Sequence, residues 1–187
     1  MPKGSSGGGG GGGNIPSDKL VNVKITNEIT ASGKVVSAFT SAKNEAVRQF
    51  PELEGQIYNE LNKVTVATMK PSNTSGVYKE SQKKITINKN IVKNPQELKK
   101  TMAHEVGHAL QIKQRKGFND VDTTFKNAYS EYKRSNPRAT ELSFANKISR
   151  YATRAKSEAM AEAFKNVLVY GKKANAESKL LMKHWRK

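Results

Sequence analysis

The chain contains no cysteine, one tryptophan and only 16 acidic residues. Without cysteine, neither a disulfide nor a thiolate ligand can form, so a transition-metal site must use histidine and carboxylate side chains. No apolar run is long enough to span a bilayer, and the N-terminus lacks the short apolar segment of a secretory signal peptide. We therefore expect no membrane contact and no export by that route.

The shortage of acidic residues leaves 33 Lys+Arg against 16 Asp+Glu, a net charge of +17. Such a charge favours polyanionic surroundings. The basic residues are spread along the chain, however, and no basic cluster interleaved with aromatic residues provides a surface for stacking bases. We expect loose electrostatic contact with nucleic acid, and a basic DNA-associated protein is one alternative function.

The first part of the chain differs in composition from the rest. Residues 4–13 are only glycine and serine, which cannot bury a core and behave as a flexible linker. We predict a tether over residues 1–17 and one folded domain over residues 18–187, a length that is sufficient for a hydrophobic core.

Two of the three histidines lie one helical turn apart in the stretch 101–110. On a helix, His104 and His108 share a face and can hold one Zn²⁺ between them. Glu105 follows the first histidine, so that its carboxylate lies beside the metal, where it can act as a general base. The alternative is a buried core helix with two incidental histidines.

Zinc hydrolases usually have three protein ligands. Glu158 and Glu162 are candidates for the third, because they lie one turn apart on an otherwise apolar helix and need partners there. One carboxylate on the metal and the other on a ligand imidazole would satisfy both. His184, among basic residues near the C-terminus, is less suitable, and an exposed Glu pair is the simpler alternative.

Taken together, these residues resemble a family. The motif His104-Glu105-Val-Gly-His108, followed by Tyr151, Glu158 and Ala-Glu162-Ala-Phe, is similar to that of the glutamate-liganded zincin peptidases, as in the anthrax lethal factor catalytic domain. The run 170–185 also resembles the end of zincin-like domains attached to phage minor head proteins. The resemblance covers about residues 95–187.

The resemblance implies a role for each matching residue. His104, His108 and Glu158 would be the zinc ligands, and Glu105 would be the general base. Tyr151 would donate a hydrogen bond on the oxyanion side or act as an acid. Glu162 would hydrogen bond to a zinc-ligand imidazole without binding the metal itself. For Tyr151, the alternative is a half-buried tyrosine that only packs.

Hydrophobic periodicity predicts an α+β protein: a small mixed sheet, an active-site helix and a mostly helical C-terminal half. The predicted strands cover residues 20–25, 64–69, 77–78 and 85–87, the last two as a hairpin with residues 76–79 at a sheet edge. The predicted helices cover residues 41–62, broken at Pro51, and then 94–116, 120–134, 156–170 and 175–185, and residues 140–149 are predicted as a shorter helix or a loop. Together with this order of elements, the family resemblance implies a zincin-like metalloprotease fold.

We therefore expect a zinc metalloendopeptidase with a polypeptide substrate. The extended backbone of that substrate is expected to pair with the edge strand at residues 76–79. The alternative suggested by the phage resemblance is a non-catalytic head or morphogenesis module with a zincin fold, whose partners are phage head proteins. The expected location is the cytoplasm of a bacterial host cell or a phage virion.

Overall fold

The computed structural model describes residues 14–16, 22–111 and 116–187. Within these ranges the chain forms a four-stranded sheet and seven α-helices. The strands are β1 (Lys24–Thr30), β2 (Lys63–Lys70), β3 (Gly76–Lys79) and β4 (Lys84–Asn88). The helices are α1 (Gly33–Gln49), α2 (Glu54–Glu60), α3 (Pro95–Gln111), α4 (Val121–Ser135), α5 (Glu141–Ile148), α6 (Lys156–Tyr170) and α7 (Ala176–Trp185).

The sheet is mixed, with the strand order β1-β2-β4-β3. The pair β1 and β2 is antiparallel, β2 and β4 are parallel, and β3 and β4 form the predicted antiparallel hairpin, in which Tyr78 lies opposite Ile85. The prediction that residues 76–79 form an edge strand is therefore confirmed. Part of the first predicted strand, including Leu20 and Val21, lies outside the described residues, and β1 begins at Lys24.

The first helix differs from the prediction. We predicted that it begins near residue 41, but α1 begins at Gly33, with Ser32 at the cap position. Its buried residues start with Val35 and Phe39, one turn apart, so the apolar face extends further towards the N-terminus than we inferred. The predicted break at Pro51 is confirmed, since α1 ends at Gln49 and a short 3₁₀ turn leads into α2.

Helix α3 carries the histidine motif and begins as predicted. Pro95 occupies its first turn, and the Asn94 side chain accepts the Glu97 N–H at 3.2 Å. The helix is described as far as Gln111, and residues 112–115 of the predicted helix lie outside the described residues. Ten of its residues are buried, including His104 and Glu105, so α3 runs through the core.

The C-terminal half is helical, as predicted. Side-chain caps fix three helix starts: Asp120 accepts the Thr123 N–H, Thr140 forms a capping box with Ser143, and Asn175 caps α7. The α+β class, the small mixed sheet and the mostly helical C-terminal half are thus confirmed.

Residues 14–16 differ from the predicted tether. Ile15 is 3% exposed and belongs to the hydrophobic core, and the Pro16 carbonyl accepts the Lys156 N–H at 2.9 Å, at the start of α6. These residues pack on the domain because Ile15 is apolar and α6 begins without a side-chain cap. Ile15 and Pro16 therefore pack on the domain although they lie within the predicted tether.

None of the helices in the described ranges has both the length and the apolar content needed to cross a membrane.

Candidate metal centre

Helix α3 presents the motif side chains to one side because residues four apart lie on the same helix face. His104 and His108 have their Nε2 atoms 3.0 Å apart, and their rings meet edge to face with centroids 4.6 Å apart. Both imidazoles are largely enclosed, with side-chain exposures of 11% and 21%.

Helix α6 crosses α3 closely enough to bring its carboxylates to these rings. The crossing is at Gly107, where an added Cβ would lie 3.1 Å from Ala161 Cα and 3.2 Å from Phe164 Cβ. Any larger residue than glycine would push the helices apart. The close approach at Gly107 thus sets how far the Glu158 carboxylate extends towards the two histidines.

Three side-chain atoms form a nearly equilateral triangle at this crossing. Glu158 Oε2 lies 3.2 Å from Nε2 of His104 and 3.2 Å from Nε2 of His108, which are themselves 3.0 Å apart. Atoms bound tetrahedrally to one ion at about 2.0–2.1 Å lie about 3.3 Å apart. The donor types and their spacing therefore make His104, His108 and Glu158 a possible metal-binding triad.

Glu162 lies on the other side of the His104 ring. Its Oε1 is 2.9 Å from His104 Nδ1, and Lys165 Nζ donates to both carboxylate oxygens at 2.7 Å. An ionised Glu162 accepts the Nδ1 proton of His104, so that loss of the Nε2 proton would direct the Nε2 lone pair into the triad when a metal binds. Glu162 therefore orients His104 and does not belong to the triad.

Gln111 holds His108 in a similar way. Its side-chain amide lies 2.8 Å from His108 Nδ1, while its carbonyl oxygen is buried without a hydrogen-bond partner. With the amide rotated by 180°, that oxygen accepts the Nδ1 proton of His108, which satisfies the oxygen and leaves Nε2 of the histidine as a donor to a metal.

Glu105 is buried beside the triad without belonging to it. Its side chain packs against edge strand β3, where an added Cβ on Gly76 would lie 3.2 Å from its Oε1 and 2.7 Å from Thr101 Cγ2. Burial raises the pKa of Glu105, and the nearby Glu158 carboxylate adds to the increase, while the neighbouring histidines and a hydrogen bond from the Tyr78 backbone oppose it. A carboxylate with a raised pKa is a better proton acceptor.

Tyr151 lies on a 3₁₀ turn (Tyr151–Arg154) that leads into α6. Its ring meets that of His104 edge to face at 5.6 Å between centroids, and the residue is 37% exposed. Burial of the phenol and the Glu158 carboxylate raise the pKa of Tyr151, so its hydroxyl keeps its proton at neutral pH. Tyr151 is thus a protonated, partly exposed phenol beside His104.

The charges of the cluster are strongly coupled. Burial by itself disfavours the ionised forms, but hydrogen bonds from His104 and His108 outweigh it and lower the pKa of Glu158 to about 2. Those from His104 and Lys165 lower the pKa of Glu162 to the same value. In turn, burial lowers the pKa of His104, but hydrogen bonds to both carboxylates raise it to about 10. Two ionised carboxylates therefore face one imidazole and stabilise its protonated form, while Lys165 balances the charge of Glu162.

The structure brings six predicted site residues into one cluster: His104, Glu105, His108, Tyr151, Glu158 and Glu162. His184 lies elsewhere, with its Nε2 2.6 Å from Glu131 of α4. Sequence reasoning missed Gln111 and Lys165. Each lies three residues after a predicted site residue on the same helix, and that spacing was the signal that could have identified them.

Comparisons of the chain with models of known protein families, with curated proteins and with solved structures each find no match. The interpretation of the cluster therefore depends on its own geometry and on the sequence motif.

Proposed function

We propose that the chain is a zinc-dependent peptidase that hydrolyses peptide bonds with Glu105 as the general base. The observation that carries the proposal is the triangle of His104, His108 and Glu158 donor atoms, with the buried Glu105 beside it and outside it. A site that only stores a metal has no need for an extra buried carboxylate with a raised pKa.

The donor set supports zinc as the metal. Two imidazoles and one carboxylate, without cysteine, are the protein ligands of many hydrolytic zinc sites, in which the fourth position is left open. Zinc held by these three residues would supply Lewis-acid chemistry for activating water and polarising a carbonyl. Glu162 and Gln111 support this role, since both hold the Nδ1 side of a ligand ring and leave Nε2 for the metal.

The residues around the triad can perform the proton transfers of peptide hydrolysis. Glu105 accepts a proton from the attacking water and delivers it to the leaving amine. The Tyr151 hydroxyl, protonated at neutral pH, donates a hydrogen bond to the oxygen that becomes negatively charged. We therefore propose Glu105 and Tyr151 as the catalytic residues.

The position of β3 supports a polypeptide substrate. It is an outer strand of the sheet, and the Tyr78 backbone hydrogen bonds to Glu105. An extended peptide laid along β3 by strand addition would therefore pass the general base. This arrangement of an edge strand beside the motif helix also supports the zincin-like fold.

The experiment measures metal content together with cleavage of a mixed peptide pool. Glu105→Gln keeps the size of the side chain but cannot accept a proton, so it should retain zinc while hydrolysis falls by about 10²-fold or more. His104→Ala should lose both the metal and activity. Glu97→Gln, at an exposed position in the first turn of α3, is the matched control and should behave as wild type.

Two results would contradict the proposal. Purified protein that contains stoichiometric zinc but cleaves no peptide would favour the non-catalytic morphogenesis module. Cleavage that persists in Glu105→Gln would show that another residue is the base. Phage partners, nucleic-acid contact and cellular location stay predictions from the sequence.

A further inference from the structure

Arg154 is an exposed cation beside the candidate active site. It ends the 3₁₀ turn that begins with Tyr151, and its guanidinium carbon lies 4.1 Å from the centre of the Tyr151 ring. The Tyr151 ring in turn lies 5.6 Å from that of His104. Together the two distances place the guanidinium within about 10 Å of the His104 ring, a span of about three residues of extended peptide.

Arg154 differs from the lysines that follow it on α6. Lys156 lies 3.3 Å from Asp122, and Lys165 is bound to Glu162 at 2.7 Å. Among the described residues, no carboxylate forms an ion pair with Arg154. Of these three cations, it is therefore the one whose charge is available to a ligand.

The contact with Tyr151 restricts the Arg154 side chain before any ligand binds. A guanidinium stacked on an aromatic ring loses part of its rotational freedom, while the N–H groups at its edge remain able to donate. A planar fork of donors fits a carboxylate with two parallel hydrogen bonds. Such a group favours an acidic side chain over its amide because only the carboxylate is charged.

We propose that Arg154 is a specificity-determining residue that binds the side-chain carboxylate of an Asp or Glu within about three residues of the scissile bond. This inference depends on the proposed peptidase function. It assigns the substrate class as acidic peptides, which also suits the overall charge of +17.

The test compares peptide pairs that differ only by Glu or Gln at one position, from three residues before the scissile bond to three after it. With zinc-loaded wild type, kcat/KM should be about tenfold higher for Glu at one or more positions. In Arg154→Gln the ratio should fall to about one, and in Arg154→Glu it should reverse. Arg150→Gln, which replaces an exposed arginine outside the site cluster, should keep the wild-type ratio.

Melting temperature and zinc content show whether each variant is folded. A wild type that cleaves without any Glu preference would overturn the inference. An Arg154→Gln variant that keeps the preference would do the same. If Arg154→Gln slows both members of every pair equally, then Arg154 only positions Tyr151, and the specificity role is wrong.

A binding measurement separates this inference from the peptidase proposal. In the Glu105→Gln background, fluorescence anisotropy measures Kd for the same labelled peptides without cleavage. If the wild type cleaves nothing, the peptidase proposal fails, but a Glu preference in Kd that disappears with the added Arg154→Gln change still supports the carboxylate site. Equal Kd values for all pairs, or no binding, would overturn it.

Discussion

The substitution Gly107→Ala tests whether the α3–α6 crossing sets the geometry of the metal centre. An added Cβ would lie 3.1 Å from Ala161 Cα, 3.2 Å from Phe164 Cβ and 3.3 Å from the Ala161 carbonyl oxygen. Carbon atoms in favourable contact are about 3.5–4.0 Å apart, so the helices must separate by about 0.4–0.9 Å. Two of the close atoms belong to backbone, which cannot rotate away.

Two effects on stability oppose each other. Overpacking of a dense core costs about 1–3 kcal/mol. Replacing glycine by alanine within a helix returns about 1 kcal/mol. The net loss should be about 0–2 kcal/mol, and for a chain of this size each kcal/mol lowers Tm by about 2–4 °C.

The same separation of the helices should have a larger relative effect on metal affinity than on stability. Glu158 lies on α6 less than one turn before Ala161, so a separation of the helices moves its carboxylate away from His104 and His108. Metal–ligand distances tolerate only about 0.2 Å. We therefore expect zinc affinity to fall by about tenfold or more, measured by competition with a chromogenic chelator.

Gly55→Ala is the matched control, because an added Cβ there meets nothing within 4 Å in helix α2. It should keep wild-type zinc affinity and should not lower Tm. If Gly107→Ala also binds zinc as tightly as wild type, then the crossing at Gly107 does not control the distance from Glu158 to the histidines, and the reasoning is refuted.

Three further predictions concern the same centre. Glu158→Ala should remove the metal, whereas Glu162→Ala should weaken zinc affinity by about 10- to 100-fold, as expected for a residue that only orients a ligand; the opposite result would mean that the two roles are exchanged. Gln111→Leu keeps the size of the side chain but frees His108 Nδ1, and should weaken zinc affinity by about tenfold; unchanged affinity would show that Gln111 does not orient the ring. Finally, burial lowers the pKa of His104, but the Glu158 and Glu162 carboxylates raise it to about 10. In protein stripped of metal, His104 is therefore a positively charged imidazolium at pH 7, with a proton on both ring nitrogens. Zinc binding at pH 7 should therefore release about one proton, measured by calorimetry in buffers of different ionisation enthalpy; no release would contradict that protonation state.

The sequence predicted correctly those structural features that depend on residues close together in the chain. The hairpin of β3 and β4, the helix starts at Pro95, Val121 and Glu141, and the break at Pro51 were all predicted, because turns and caps depend on neighbouring residues. The early start of α1 was missed because its first buried residues, Val35 and Phe39, lie among polar residues such as Ser37. The parallel pairing of β2 with β4 was not predicted either, since it joins strands separated by β3.

The supporting residues of the site were harder to predict. Gln111, Lys165 and Arg154 are ordinary polar residues whose importance depends on what lies opposite them. Ile15 was assigned to a tether because the residues before it are glycine and serine, yet its own side chain is buried. Composition averages over a segment, whereas burial is decided residue by residue.

By itself, the sequence determined which side chains share a helix face. His104 and His108 must lie on one side of α3, and Glu158 and Glu162 on one side of α6, because a helix places residues four apart together. Helix spacing left open which carboxylate completes the triad, and although the family resemblance favoured Glu158, only the tertiary structure brings its Oε2 to 3.2 Å from both histidines. Glu158 is 50 residues from His108, and its distance to the histidines depends on how closely α6 packs at Gly107. No local rule fixes that packing, because it results from the whole core that surrounds both helices.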